Sequence, residues 1–326
     1  MKNKLLNILL ISILLITTSF AADSKKASRE TKLATPYEQS IEILEAAISS
    51  TNPMIRMEAI EAIALSRSRQ LYPLIEERLS DTVDAVRFVA IIAVGDIRYS
   101  QATEKLNVFF EKGNENERVA ASYAFLKLGD SDPEYHRILV KALQSGDSTT
   151  SANAALVMGK LGSEKYVGLL KWVLLNRSGD DKTQIQAVDS LSQLGYDDID
   201  SKAWALMISK RADDRVMGII AMYNLATYDS RNAIKTMLDD DVLEVRIVAA
   251  GRLAALKDNT GFDVIKNFFE SDLATLSDED RIRALIHSLD AIRFSKDLEL
   301  AEYLPQFLTD KDETVRIHSA LAILSI

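Results

Sequence analysis

Along the chain, apolar residues recur three and four positions apart in short stretches separated by polar turns. Leu71, Leu74, Ile75 and Leu79 form one such stripe, and Ile234, Met237 and Leu238 another. That spacing gathers side chains on one face of an α-helix. A second kind of stretch alternates with the first. It opens at an apolar–arginine pair and carries small residues soon after. Val86-Arg87 is followed by Ala90 and Ala93, Val245-Arg246 by Ala249 and Ala250, and Val315-Arg316 by Ala320 and Ala322. Small residues let helix backbones approach closely. Several of these stretches end in leucine-glycine, at Leu128-Gly129, Leu161-Gly162 and Leu194-Gly195. Glycine there stops a helix, because it takes the left-handed conformation without steric cost.

The two stretches form one unit, and the unit repeats. Taking the residue before the arginine position as anchor, units fall at Ile55, Val86, Glu117, Thr150, Thr183, Asp214, Val245, Asp280 and Val315. The steps are 31, 31, 33, 33, 31, 31, 35 and 35 residues. A helical pair cannot bury its apolar face alone, so neighbours must stack. The expected fold is all-α: a right-handed α-solenoid of about nine helical pairs over residues 36–326. Proline placement agrees. Thr35-Pro36-Tyr37-Glu38 is a capping box with proline at the first helical position. Asn52-Pro53 and Asp132-Pro133 open helices, Pro73 lies near a start, and Pro305 predicts a kink or a late start. Five prolines and twelve glycines are too few for a β-sandwich of this length.

The pattern valine-arginine, two residues, an alanine-rich run, leucine and glycine resembles the HEAT-like repeats of the phycobilin lyase group and of many bacterial scaffold proteins. The resemblance covers about residues 36–326. It implies that the second helices line the concave side. Ser151 and Gln184 stand where arginine is expected, which predicts a polar ladder broken in mid-array. The sequence stops at Ile326, just after the ninth arginine unit, without a polar capping helix. Its last face is expected to be exposed or to dock on a partner.

The N-terminus has a different character. Lys2 and Lys4 precede an apolar run from Leu5 to Ile16, and Ser19-Phe20-Ala21 places small residues at the −3 and −1 positions of a cleavage site. This is the layout of a signal peptide over residues 1–21, followed by a polar linker over 22–35. The protein is therefore expected to be exported, periplasmic or secreted, with no membrane span once the leader is removed. A formal charge of −9 argues against nucleic acid as partner. The chain has no cysteine, which excludes disulfides, thiolate metal sites and a cysteine nucleophile.

Arginines at the anchor positions, Arg56, Arg87, Arg118, Arg215, Arg246, Arg281 and Arg316, form a row. Asp81, Asp240 and Asp310 lie six residues before three of them. A guanidinium at such a turn takes bidentate bonds from a carboxylate and from open helix ends, so a structural ladder is expected. The three histidines, His136, His287 and His318, lack a metal-binding partner at helical spacing. His287 occupies a position that is small and buried in other units, which suggests packing. Asp239-Asp240-Asp241 and Ser277-Asp278-Glu279-Asp280 lack the calcium-loop spacing. No nucleophile elbow or phosphate-binding glycine loop occurs. No enzyme activity, metal or cofactor is expected.

Offsets one, five and nine from the arginine position share a stripe on each second helix. The offset-one row, Met57, Phe88, Val119, Ala152, Ile185, Val216, Ile247, Ile282 and Ile317, is wholly apolar. The offset-five row contains Ile92, Tyr123, Leu156, Ile220, Ile286 and Leu321 beside Glu61, Asp189 and Gly251. The offset-nine row turns polar, with Asp96, Lys127, Lys160, Gln193, Asn224 and Asp290. Two accounts fit. In one, the stripe is an apolar groove with a polar rim that binds a protein or peptide partner through Phe88, Ile92, Tyr123, Leu156, Ile220 and Ile286. In the other, tight curvature buries the rows between neighbouring helices, although offset five should then remain accessible. Alternative functions are a lyase-like or accessory factor with a chromophore or other apolar ligand in the groove, and an assembly module of an envelope complex docked through the uncapped C-terminal end. Insertions at Leu175–Lys182 and Asp272–Asp280 fall between paired helices, as tolerated loops or as an edge used in recognition.

Overall fold

The computed structural model describes residues 34–326 apart from 178 and 272. The expected leader and most of the linker lie outside the described residues. Among the described residues there are 18 α-helices and no strand. They run in pairs, outer then inner. The outer helices are α1 (Pro36–Ala47), α3 (Tyr72–Arg78), α5 (Thr103–Lys112), α7 (Pro133–Leu143), α9 (Val167–Asn176), α11 (Asp200–Met207), α13 (Tyr228–Thr236), α15 (Phe262–Glu270) and α17 (Leu298–Ala301). The inner helices are α2 (Pro53–Ser66), α4 (Asp84–Asp96), α6 (Glu115–Leu128), α8 (Ser148–Leu161), α10 (Asp181–Gln193), α12 (Ala212–Leu225), α14 (Leu243–Ala255), α16 (Asp278–Ser295) and α18 (Glu313–Ser325).

The helix ends obey the local chemistry. Asn52 and Asp132 cap α2 and α7 ahead of their prolines, accepting hydrogen bonds from the backbone N–H of Met54 at 3.0 Å and of Glu134 at 2.8 Å. Gly129 and Gly162 close α6 and α8 with φ of 97° and 67°. Arg67, Arg98, Ala226, Lys257 and Lys296 hold the same left-handed position elsewhere, although each carries a Cβ. Pro305 marks a late start: it opens a 3-10 turn, Pro305–Thr309, after the short α17.

Each inner helix packs against the next, from α2 through α18, and α18 packs back against α1 and α2. The solenoid is therefore closed into a ring, and the expected free C-terminal face does not exist. Ile317, Ala320 and Leu321 of α18 belong to the same apolar cluster as Leu44 and Ala47 of α1. The last unit meets the first through the face that every other unit turns to its neighbour. Nine inner helices close a circle only where their backbones come near each other. A Cβ on Gly159 would stand 2.8 Å from the Ser190 backbone, and one on Gly251 would meet Ala291 Cβ at 2.8 Å. Glycine at offset five in the seventh unit is thus a packing requirement.

The arginine ladder is present and links successive units. Arg56 makes a two-pronged pair with Asp81 of the following unit, both bonds 2.8 Å. The backbone carbonyl of the same Asp81 accepts from Arg87 Nη1 at 2.8 Å. Asp240 repeats this between Arg215, at 2.8 and 2.7 Å, and Arg246, at 2.6 Å. Asp310 does so between Arg281 and Arg316. Each aspartate thus gives its carboxylate to the preceding arginine and its carbonyl to its own. In mid-array the arginine–carboxylate links between units lapse, as the sequence leads one to expect. Ser151 and Gln184 donate to the carbonyls of Leu143, at 2.6 Å, and Arg177, at 2.9 Å. Arg177, supplied by the first insertion, reaches back to the Ser145 carbonyl at 2.7 Å and pairs with Asp180. Arg177 and the Thr183 hydroxyl overcome burial and draw the Asp180 carboxyl down to about 2.

At the seam, Glu58 of α2 faces Asp312, Glu313, Thr314 and His318. Its Oε2 is buried without a hydrogen-bond partner. Burial raises its pKa, and Asp312 and Glu313 push the same way against Thr314 and His318.

Three outcomes follow from this closure. Ile317→Ala should cost about 2–4 kcal/mol in urea unfolding, as much as Ile247→Ala in mid-array; an exposed end would make the first substitution nearly silent. Arg177→Ala should cost about 1–2 kcal/mol, a loss that grows no larger in acid once Asp180 is protonated. Glu58 holds its proton more tightly in the folded chain, so its stabilising contribution is complete below the ordinary carboxylate pKa and disappears as pH rises through the raised one. Glu58→Gln should therefore raise thermal stability near about pH 8 more than near about pH 5.

Candidate functional site

Curvature turns the apolar rows of the inner helices toward each other. In the offset-one row Val119, Ala152, Val216, Ile247 and Ile317 are buried, and Met57, Phe88, Ile185 and Ile282 are half-buried. Offset five does not stay accessible as expected. Tyr123 is 0% exposed, Ile92 is buried, and Leu156, Ile220 and Ile286 are half-buried. Tyr123 is a core residue with a tethered tip: its hydroxyl donates to the Asp96 carboxylate. Burial first, and the adjacent carboxylate second, drive its phenol pKa far upward, so it stays a donor.

Three of the six residues expected to meet a partner line one cleft. Phe88, Ile92 and Leu156 form its apolar wall, together with Ala64, Leu65, Val89 and Ala93. Its volume is about 640 Å³. Leu65, at the last turn of α2, is 54% exposed. The polar part of the wall is Glu61, Arg67, Asp96, Lys160 and Arg293. These side chains come from the first, second and fourth units, gathered by the curvature of the ring, with Arg293 reaching in from the eighth across the seam. Tyr123, Ile220 and Ile286 do not line it.

The charges of the ring centre are mutually engaged. Lys160 pairs with Asp96 at 3.0 Å across two units. Glu61 is exposed in the cleft, and the protein gathered around it raises its pKa against the pull of Lys160. Arg293 bonds Asp290 at 3.2 Å and lies 4.2 Å over the Phe294 ring. Arg252 stands 4.5 Å from the Phe294 ring and 5.1 Å from that of Tyr223, a cation held between two aromatic faces. Burial lowers its pKa, while Asp290 and Asp189 oppose that. Burial would raise the pKa of Asp290, but His318 and Arg293 hold it low. Arg67, at the cleft mouth, has neither ion pair nor hydrogen bond from its guanidinium among the described residues. Leu65 is the offset-nine residue of the first unit, an apolar exception in a row that is mostly polar, whereas Arg67 and Arg293 lie beyond the counted offsets, near their helix ends.

The histidines have neighbours of their own. Lys165 Nζ donates to His136 Nε2 at 2.6 Å, which leaves Nδ1 to bear the proton facing the Tyr166 hydroxyl at 2.5 Å. His287 is not simply packed: its Nε2 lies 2.9 Å from Glu244 Oε1, joining the seventh and eighth units. Arg283 bonds the same Glu244 at 2.8 Å and also reaches Asp213. Asp239-Asp240-Asp241 serves the ladder through Asp240, and Ser277 caps α16 by accepting from Asp280 N–H at 3.1 Å. Among the described residues no helix is long and apolar enough to cross a membrane.

Comparison with known proteins bears on the architecture. Residues 40–127 match the family model of HEAT repeats. No curated protein matches the chain. Among solved structures, the chain is similar to the complex of CpcE and CpcF of phycocyanin lyase from Nostoc sp. PCC7120, at 14% identity and TM-score 0.43, covering 83% of this chain and 97% of that one. It is similar to human deoxyhypusine hydroxylase, at 12% identity and TM-score 0.37, covering 80% and 97%. For Kap121p the identity is 12% and the TM-score 0.35, covering 90% of this chain and 38% of that one. These three likenesses are too distant to carry any inference about activity. Helical pairs of the same kind recur through the remaining units of the ring: the chain is built of HEAT-like repeats.

Proposed function

We propose that the protein is an exported, non-catalytic scaffold that holds a short segment of a protein partner in its central cleft. The observation that carries this reading is the meeting of Phe88, Ile92 and Leu156 with the exposed Leu65 in a single confined hollow. Apolar side chains of a partner would fill the wall, and the free guanidinium of Arg67 would face a carboxylate or a helix C-terminus at the mouth. Export rests on the leader-like first 21 residues. HEAT repeats commonly mediate protein interactions, which favours a protein over a nucleic acid as partner.

The second reading is an accessory factor with an apolar small molecule or chromophore in the same place. A hollow of about 640 Å³ falls in the range of small-molecule sites, which favours it. Docking through an open C-terminal end is not proposed, since α18 is covered by α1 and α2.

The test is capture of partners from the native cell envelope on immobilised protein, identified by mass. Phe88→Ser with Leu156→Ser should weaken capture about a hundredfold, since each buried side chain is worth roughly 1.5–3 kcal/mol, with helical content unchanged. Undiminished capture by the folded double variant would reject the cleft. Visible absorbance in the purified protein would favour the second reading.

A further inference from the structure

Both tryptophans of the chain lie on outer helices of consecutive units, Trp172 on α9 and Trp204 on α11, and both are exposed. Trp204 is 44% exposed and lines a shallow pocket of about 310 Å³ between α11 and α13. Asp200 sits four residues before Trp204 on α11, and Asp229 faces them from α13, with Met222 of α12 also in the wall. Residues four apart share a helix face, so Asp200 and Trp204 point the same way. Neither carboxylate has an ion pair or side-chain hydrogen bond among the described residues. No basic side chain lines the pocket. Lys202 and Arg231 follow the two aspartates by two positions, which turns them to other faces of their helices. Acids in a first turn also suit the helix dipole. That explains the carboxylates but not an indole left open between them. Ile208 and Tyr228, both well exposed, extend the apolar surface beside the pocket.

We propose that this pocket on the outer side of the ring receives an arginine side chain of a protein partner, the guanidinium lying on the Trp204 face and bonding to Asp200 and Asp229. An aromatic face attracts a planar cation, and two unpaired carboxylates supply charge-assisted acceptors for its fork of N–H donors. The flanking Ile208 and Tyr228 suit apolar residues beside that arginine, which selects a polypeptide over a free cation. The site shares no residue with the central cleft, so its failure would leave that reading standing.

The two indole N–H signals in a nitrogen–proton NMR spectrum, assigned with Trp172→Phe, provide the test and its internal control. Titration with N-acetyl-arginine amide should shift the Trp204 signal and leave the Trp172 signal in place. The blocked peptide Leu-Arg-Leu should bind more tightly than the amide. The citrulline amide, neutral and of the same shape, should bind at least about fivefold more weakly. Asp200→Asn with Asp229→Asn should abolish the arginine response while the rest of the spectrum keeps its dispersion. An unmoved Trp204 signal, equal shifts at both indoles, an equal response to citrulline, or an unchanged response in the double variant would overturn the proposal. A response to spermidine as strong as to Leu-Arg-Leu would overturn the assignment to a protein partner.

Discussion

A helical pair with an oily side must cover it, and in this chain the ninth pair covers the first. That burial is the constraint on which the other features depend. Ile317, Ala320 and Leu321 of α18 join Leu44 and Ala47 of α1 in one apolar cluster, and the circle of inner helices has no loose end. Closing nine units into a ring requires steep curvature. Curvature requires small residues where inner helices touch, which is why Gly159 lies on Ser190 and Gly251 on Ala291. It also sinks the apolar rows inward and leaves only a confined hollow at the centre.

The ladder shows how the chain holds such curvature. Each aspartate at an interhelical turn fastens two arginines at once, one through its carboxylate and one through its carbonyl, so successive units are tied at the same height. The pairs Arg56–Asp81 and Arg215–Asp240 are largely buried, and losing one partner leaves a charge stranded. Where the arginine is missing, the insertion brings Arg177 to the carbonyl of Ser145. An inserted loop that looks like tolerated slack in the sequence is part of the fastening.

How much of this was legible follows from the range of each interaction. The helical pairs, their caps at Asn52 and Asp132, the left-handed Gly129 and Gly162, and the late start at Pro305 are written within a few residues of themselves, and the sequence pattern is enough to find them. The ladder arginines were legible because their spacing repeats. Closure was not, because nothing local distinguishes a ninth unit that meets the first from one that meets water. The fate of Tyr123 depends on that curvature: an apolar position at offset five reads as a groove wall in an open solenoid and as core in a ring. Of the expected contact residues, Phe88, Ile92 and Leu156 did come together in one hollow. Leu65 and Arg67 join them from the neighbouring first unit, and Arg293 from the eighth, at a separation that a periodic count does not span.

The absence of cysteine in the natural chain makes the ring directly measurable. Spin labels on Glu42→Cys of α1 and Glu313→Cys of α18, which line one shallow hollow at the seam, report the distance between first and last units by pulsed electron resonance. Closure predicts one narrow distribution within about two helix diameters, roughly 20 Å. A broad distribution centred beyond about 40 Å, as an open stack of nine units spaced about 10 Å apart would give, would contradict it.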